Sequence, residues 1–178
     1  LFGDYNPSGK LPVTFYTSEN ELPDFENYDM TGGTYRYYQG QPLYPFGYGL
    51  SYTKFLYSNI KVDKMASVKT PVTISATVKN TGNKDGEEVV QLYLQNIASA
   101  FPVPIKSLKG FTRVWLKKGE QKTVQFTLVP DDFSVINNDG KAIVEAGNYK
   151  VSIGGGQPFV SSNATGNGNI IAATIELK

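Results

Sequence analysis

From Phe55 onward, seven short runs alternate apolar with polar residues, at 55–62, 72–79, 87–95, 107–116, 122–128, 147–153 and 169–177. A period of two places successive side chains on opposite faces of an extended chain and leaves no continuous stripe for a helix. In 72–79 the residues Val72, Ile74, Ala76 and Val78 point one way, while Thr73, Ser75, Thr77 and Lys79 point the other. The same rule turns Val90, Leu92 and Leu94 inward with Gln91, Tyr93 and Gln95 outward, and it turns Val124, Phe126 and Leu128 inward. Turn chemistry separates the runs at Asn80-Thr81-Gly82, Lys118-Gly119-Glu120, Asn138-Asp139-Gly140 and Gly154-Gly155-Gly156. Gly82 and Gly119 are expected to supply a positive φ, and Gly147 to open the strand that holds Tyr149 and Val151. After Pro130, the Asp131-Asp132-Phe133-Ser134 stretch suits a single short helical turn. The expectation is an all-β, antiparallel sandwich of about seven strands.

Residues 1–54 are written differently. Asn6-Pro7-Ser8-Gly9, Gly32-Gly33 and Phe46-Gly47-Tyr48-Gly49 break any regular period, so an extended, loop-rich segment is expected there. One strand is predicted within it, at 11–16, where proline is confined to the start. The domain division is therefore 1–54 and 55–178.

The chain contains no histidine and no cysteine, which excludes Ser-His-Asp triads, thiol nucleophiles, disulfides and His or Cys metal sites. Carboxylate, lysine and tyrosine chemistry remain. Seventeen basic residues against sixteen acidic ones form no concentrated basic face, so nucleic acid is not an expected partner. No apolar run reaches the roughly 18–20 residues of a membrane helix. The chain opens on Leu1 rather than Met and reads as an internal piece of a longer polypeptide, with its targeting signal upstream.

Two stretches of the first region, "YNPSGKLPVTFY" and "LYPFGYGLSYTKF", resemble the end of the α/β domain of glycoside hydrolase family 3 enzymes and the linker that follows it. Three stretches of the second, "VKNTGNKDGEEVVQLYLQ", "KSLKGFTRVWLKKGE" and "EAGNYKVSIGGG", resemble the fibronectin type III-like, immunoglobulin-like module that closes those enzymes. The resemblance implies a retaining exo-β-glycosidase acting on β-xylosides or β-glucosides in plant polysaccharide breakdown. Its aspartate nucleophile would lie in an upstream barrel and its glutamate acid/base on a loop of the second domain. Retention needs two carboxyl groups about 5 Å apart. Nothing here matches the nucleophile motif, so no catalytic residue carries over and no cofactor is implied. The ending "SIGGGQP" is closer to the β-xylosidase branch than to the cellobiose-cleaving one. One departure is Gly33 before Thr34-Tyr35-Arg36-Tyr37-Tyr38, where such enzymes often have arginine.

Eight of the twelve tyrosines fall between Tyr28 and Tyr57. Such rings can stack on sugars or pack between domains. Tyr35, Arg36, Tyr37 and Tyr38 are the candidate contacts to a substrate edge or a neighbouring domain. Glu87-Glu88 cannot both address one substrate, because neighbours on a strand face opposite ways. Asp131, Asp132, Asn137 and Asp139 lack the calcium-loop pattern, and no metal site is assigned. In "FTRVWL" the face of Phe111, Arg113 and Trp115 and the face of Val114 and Leu116 both carry apolar residues, so the alternation leaves open which one is core.

These readings together describe a non-catalytic accessory domain whose partners are upstream catalytic domains of the same polypeptide, with an oligosaccharide as a further partner at the domain edge. The protein would be secreted or periplasmic. The alternative is an independent carbohydrate-binding or cell-surface spacer module. Apolar surface deprived of its partner domain would favour self-association.

Overall fold

The computed structural model describes residues 3–158 and 168–178. Among these, ten strands form three sheets. A three-stranded sheet runs in the order β1 (Phe55–Val62), β3 (Val72–Asn80), β6 (Gln121–Leu128). A five-stranded sheet runs β2 (Met65–Ala66), β10 (Ile171–Leu177), β9 (Gly147–Gly154), β4 (Gly86–Asn96), β5 (Ser107–Leu116). A hairpin of β7 (Ser134–Ile136) and β8 (Ala142–Val144) stands apart. The seven runs of alternating sequence are the seven long strands, and the expected all-β sandwich is the fold. The short β2, β7 and β8 add to it, and β2 pairs parallel to β10 while the other pairs are antiparallel.

One core fills the space between the two large sheets. Phe55, Tyr57, Ile74, Val78 and Leu128 come from one sheet, and Val90, Leu92, Val151, Ile153 and Ile175 from the other. Each is the inward member of its alternating pair, so burial follows directly from the period. The two faces of "FTRVWL" are thereby resolved: Leu116 is buried and Val114 packs against the core, while Phe111 and Trp115 are 70% and 49% exposed.

Side chains stitch the strand ends. Asn80 is fully buried and satisfied at both ends: its Oδ1 accepts from the Thr53 hydroxyl at 2.6 Å and from Gly82 N–H at 3.1 Å, and its Nδ2 donates to the Lys84 and Leu116 carbonyls. Asn169 bridges to β1, accepting from Tyr57 N–H at 2.8 Å and donating to the Tyr57 carbonyl at 2.9 Å. The Tyr149 hydroxyl donates back to the Glu145 carbonyl at 2.9 Å, the corner contact typical of immunoglobulin-like sandwiches. The expected turn after Val129 is a 3-10 turn at Pro130–Phe133, with Asp132 accepting the Val129 N–H.

Three local expectations need correction. No strand forms at 11–16: among the described residues the backbone meets the facing segment at Leu11, which bonds with Gly47 and Tyr48, and at Phe15, which makes an isolated bridge to Tyr44, while Pro12 between them has no donor to continue a ladder. Gly82 does not take a positive φ; a Cβ there would strike the Thr53 hydroxyl and the Lys54 backbone, so close approach is what requires glycine. Gly119, at φ 78°, does behave as expected. Finally, Gln91 and Tyr93 point away from the core yet are buried, at 3% and 1% exposure, because the N-terminal segment lies over that face of the sheet.

Ile74 is fully buried at the centre of β3. Ile74→Ala should lower unfolding free energy by about 2–5 kcal/mol, the range for emptying a well-packed core position. Urea unfolding followed by Trp115 fluorescence would read the shift in midpoint.

Candidate functional site

The N-terminal segment meets the sandwich through a buried carboxylate. Glu88 shares strand parity with Val90 and Leu92, so its side chain enters the interior and is 1% exposed. Its Oε1 accepts from Lys10 Nζ at 3.1 Å and from the Tyr57 hydroxyl at 3.0 Å. Glu87, on the opposite face, accepts from the Ser8 hydroxyl and from Arg113, each at 3.0 Å. The two adjacent acids therefore separate, as alternation requires, and both hold down residues 8–10. Asn6 adds a third fixing, donating to the Asp85 carbonyl at 3.1 Å and accepting from the Ser51 hydroxyl and Tyr52 N–H at 2.8 Å. Glycine at 155 leaves room for the carboxylate, since a Cβ there would collide with Glu88 Oε1.

A second contact zone covers Gln91 and Tyr93. The Gln91 amide donates to the Gly47 and Gly155 carbonyls, both at 3.2 Å, and accepts from the Tyr93 hydroxyl at 2.5 Å. Above it, the rings of Tyr35 and Phe46 stack with centroids 4.1 Å apart, and Tyr35 meets Tyr93 edge-on at 6.2 Å.

Tyr35, Arg36, Tyr37 and Tyr38 do not act as one unit. They lie on and beside a one-turn helix, α1 (Thr34–Tyr37). Tyr35 packs inward, and its hydroxyl accepts the Leu108 N–H at 3.1 Å. Tyr38 turns to Tyr16, with ring centroids 4.8 Å apart, and donates to Glu21 at 2.8 Å; burial, reinforced by the Glu21 carboxylate, pushes its pKa up to about 12. Only Arg36 and Tyr37 reach an open cleft of about 320 Å³, whose other walls include Pro102, Ser107, Lys109 and Asp132. Asp131, Asp132, Asn137 and Asp139 are engaged in local turns or in the cleft: Asn137 Oδ1 accepts the Asp139 and Lys141 N–H groups.

The sequence reading missed Lys10, Glu88 and Gln91. Glu88 carried a usable signal, being a charged residue on the inward parity of a core strand. Gln91 and Lys10 did not, because their partners lie 44 to 78 residues away.

A third feature is an uncovered apolar face on the N-terminal segment. Phe15, Tyr44 and Leu50 are exposed around an open groove also lined by Pro7, Leu11 and Tyr48, and Phe25 and Tyr28 are 99% and 95% exposed.

Burial raises the Glu88 carboxyl above its ordinary 4.5, while the Lys10 ammonium and then the Tyr57 hydroxyl hold it back. A raised folded-state pKa means the associated stability is complete below about 4.5 and is lost as pH rises through the folded value. Lys10→Met removes the opposing charge and moves that value further up. The variant should therefore lose about 3–5 kcal/mol at about pH 7 and much less near pH 4. Unfolding midpoints of both proteins at the two pH values would check the sign.

Comparison with known proteins follows this architecture. Residues 1–52 match the glycosyl hydrolase family 3 C-terminal domain, and residues 88–157 match the fibronectin type III-like domain. The chain is 41% identical over 167 residues to a periplasmic beta-glucosidase of Salmonella typhimurium, covering 86% of this chain and 22% of that protein. It is 41% identical over 160 residues to a beta-xylosidase of Formosa agariphila, with the same coverage. Among solved structures, the beta-D-glucoside glucohydrolase of Trichoderma reesei superposes with a TM-score of 0.84 at 29% identity, covering 100% of this chain and 28% of that one. The beta-glucosidase of Erythrobacter marinus gives 0.79 at 36% identity, covering 99% and 22%. The chain thus spans about a fifth of the length of the curated relatives it matches. With both domain matches in the order the fold displays, the chain belongs to glycoside hydrolase family 3, corresponding to the C-terminal region of its members.

Proposed function

We propose that this chain is the non-catalytic C-terminal accessory region of a retaining exo-β-glycosidase, a β-xylosidase or β-glucosidase that works in plant polysaccharide breakdown. Residues 1–54 serve as the tail of the α/β domain and the linker, and residues 55–178 as the fibronectin type III-like domain. The sandwich is a rigid support that holds the linker, and the linker presents its apolar face to the catalytic domains of the same polypeptide. The observation that carries this reading is the distribution of exposed apolar side chains. Phe15, Leu22, Phe25, Tyr28, Leu43, Tyr44 and Leu50 all fall within the segment matching the family 3 C-terminal domain, and a face of this kind is usually covered. The curated relatives, more than four times longer, have length for such covering domains. The acids paired in sequence are spent on structure: Glu88 on Lys10 and Tyr57, Glu87 on Ser8 and Arg113. A secreted or periplasmic location fits the periplasmic relative.

The purified chain should release no p-nitrophenol from the β-xyloside or the β-glucoside above a protein-free control. Turnover would place a working carboxylate pair in these residues and end the accessory reading. Light scattering should show self-association as concentration rises, reduced by Phe15→Ser together with Tyr44→Ser; a strict monomer throughout would argue that the face needs no cover.

A further inference from the structure

The open cleft beside α1 is a built cationic site that the accessory role does not use. It lies at a β-bulge. Leu92 pairs with Gly110 and Tyr93 with Leu108, which leaves Lys109 without a partner across the ladder. A bulge re-aims the extra residue, and here it sends a basic side chain to the cleft wall. The α1 turn locks this arrangement: the Tyr35 hydroxyl takes the Leu108 N–H, and the Arg36 carbonyl takes the Ile105 N–H at 2.8 Å. Arg36 is thereby held against the same cleft, its guanidinium donating to the Ser107 hydroxyl at 3.4 Å and lying 6.0 Å from the Tyr37 ring centroid.

The charges do not balance. Arg36 and Lys109 face one carboxylate, Asp132, which stands 3.8 Å from Lys109; among the described residues Arg36 has no carboxylate partner. Burial lowers the Lys109 pKa, the Asp132 charge raises it, and the neighbouring Arg36 lowers it again. A monoanion would neutralise the cleft, whereas a dianion would leave excess negative charge beside Asp132. The remaining walls mix polar groups such as Asn96 and Ser134 with Tyr37 and the apolar faces of Pro102 and Pro104, surfaces suited to the C–H face of a pyranose ring. The volume of about 320 Å³ is the lower end of the range for small-molecule sites and has room for a single sugar.

We propose that this cleft binds a sugar carboxylate, a uronic acid residue, with Arg36 and Lys109 holding the carboxylate, Asp132 accepting a ring hydroxyl and Tyr37 flanking the ring. The site goes beyond the accessory reading, because it gives the C-terminal region a ligand of its own and does not depend on any catalytic pair.

The test is calorimetric titration of the full 178-residue chain with sodium D-glucuronate, D-glucose, D-xylose and inorganic sulfate, paired with amide chemical-shift mapping. Glucuronate is expected to shift amides at 36–37 and 107–109 and to bind at least about tenfold more tightly than either neutral sugar, as charge-assisted hydrogen bonds require. Arg36→Gln and Lys109→Met should each weaken it about tenfold with an unchanged melting temperature. Should Arg36→Gln fail to fold, Lys109→Met alone carries the reading, because among the described residues its side chain is paired with the Asp132 carboxylate and not with backbone. Equal binding of glucuronate and glucose, sulfate binding as tightly as glucuronate, no saturable shift at these amides, or full affinity in Lys109→Met would each overturn the proposal.

Discussion

Everything N-terminal to the sandwich hangs on a carboxylate that the strand period drives into the protein. Glu88 cannot sit among Val90 and Leu92 without a counter-charge, because desolvation of an unpaired carboxylate costs several kcal/mol. Among the described residues the sandwich supplies the Tyr57 hydroxyl, and the cation comes from Lys10, 78 residues earlier. The core strand and the covering segment therefore satisfy each other electrostatically. Neither is well solvated alone, and this couples the folding of two regions that composition would separate.

That coupling has a geometric result. Once Lys10 is anchored, the neighbouring chain has to lie across the outer face of the five-stranded sheet, where Ser8 meets Glu87 and Gly47 meets Gln91. Tyr93 and Gln91, which alternation would leave in water, become a second buried layer beneath the stacked rings of Tyr35 and Phe46. The sheet is thus covered on both faces over part of its area, by the opposing sheet inside and by irregular chain outside. The bulge opposite Leu92 and Tyr93 falls at the border of this covering, which is why the α1 turn and Lys109 can share one cleft.

The strands were legible because a half-buried strand writes its environment in a period of two, and 55–62 and 107–116 even have the same limits in sequence and structure. The fibronectin type III-like fold followed from their number and spacing together with the resemblance of their motifs. Legibility failed where the environment was made by distant chain. Alternation assigned Gln91 and Tyr93 to solvent since nothing local announces a segment that will cover them. The 11–16 stretch had strand composition, but it meets the facing segment at Leu11 and at Phe15 with Pro12 between them, so the contacts do not join into a ladder. Gly82 was read from turn chemistry, whereas its real constraint is the proximity of Thr53, a tertiary fact. Of the four candidate residues at 35–38, the one-turn helix splits Arg36 and Tyr37 from Tyr35 and Tyr38, a division that adjacency in sequence conceals.

The placement of β10 has a temporal meaning. This strand is the last of the described strands in chain order, yet it lies inside the sheet, between β2 and β9, and sends Ile175 and Leu177 into the core. Synthesis from the N-terminus therefore delivers β10 after the rest of its sheet: β3 and β6 can pair as soon as they emerge, but β9 keeps one edge open until Leu177 has cleared the exit tunnel. During that interval the nascent chain presents an unpaired strand edge beside uncovered core residues, which makes the passage from β9 to β10 the stage at which a chaperone has most to protect.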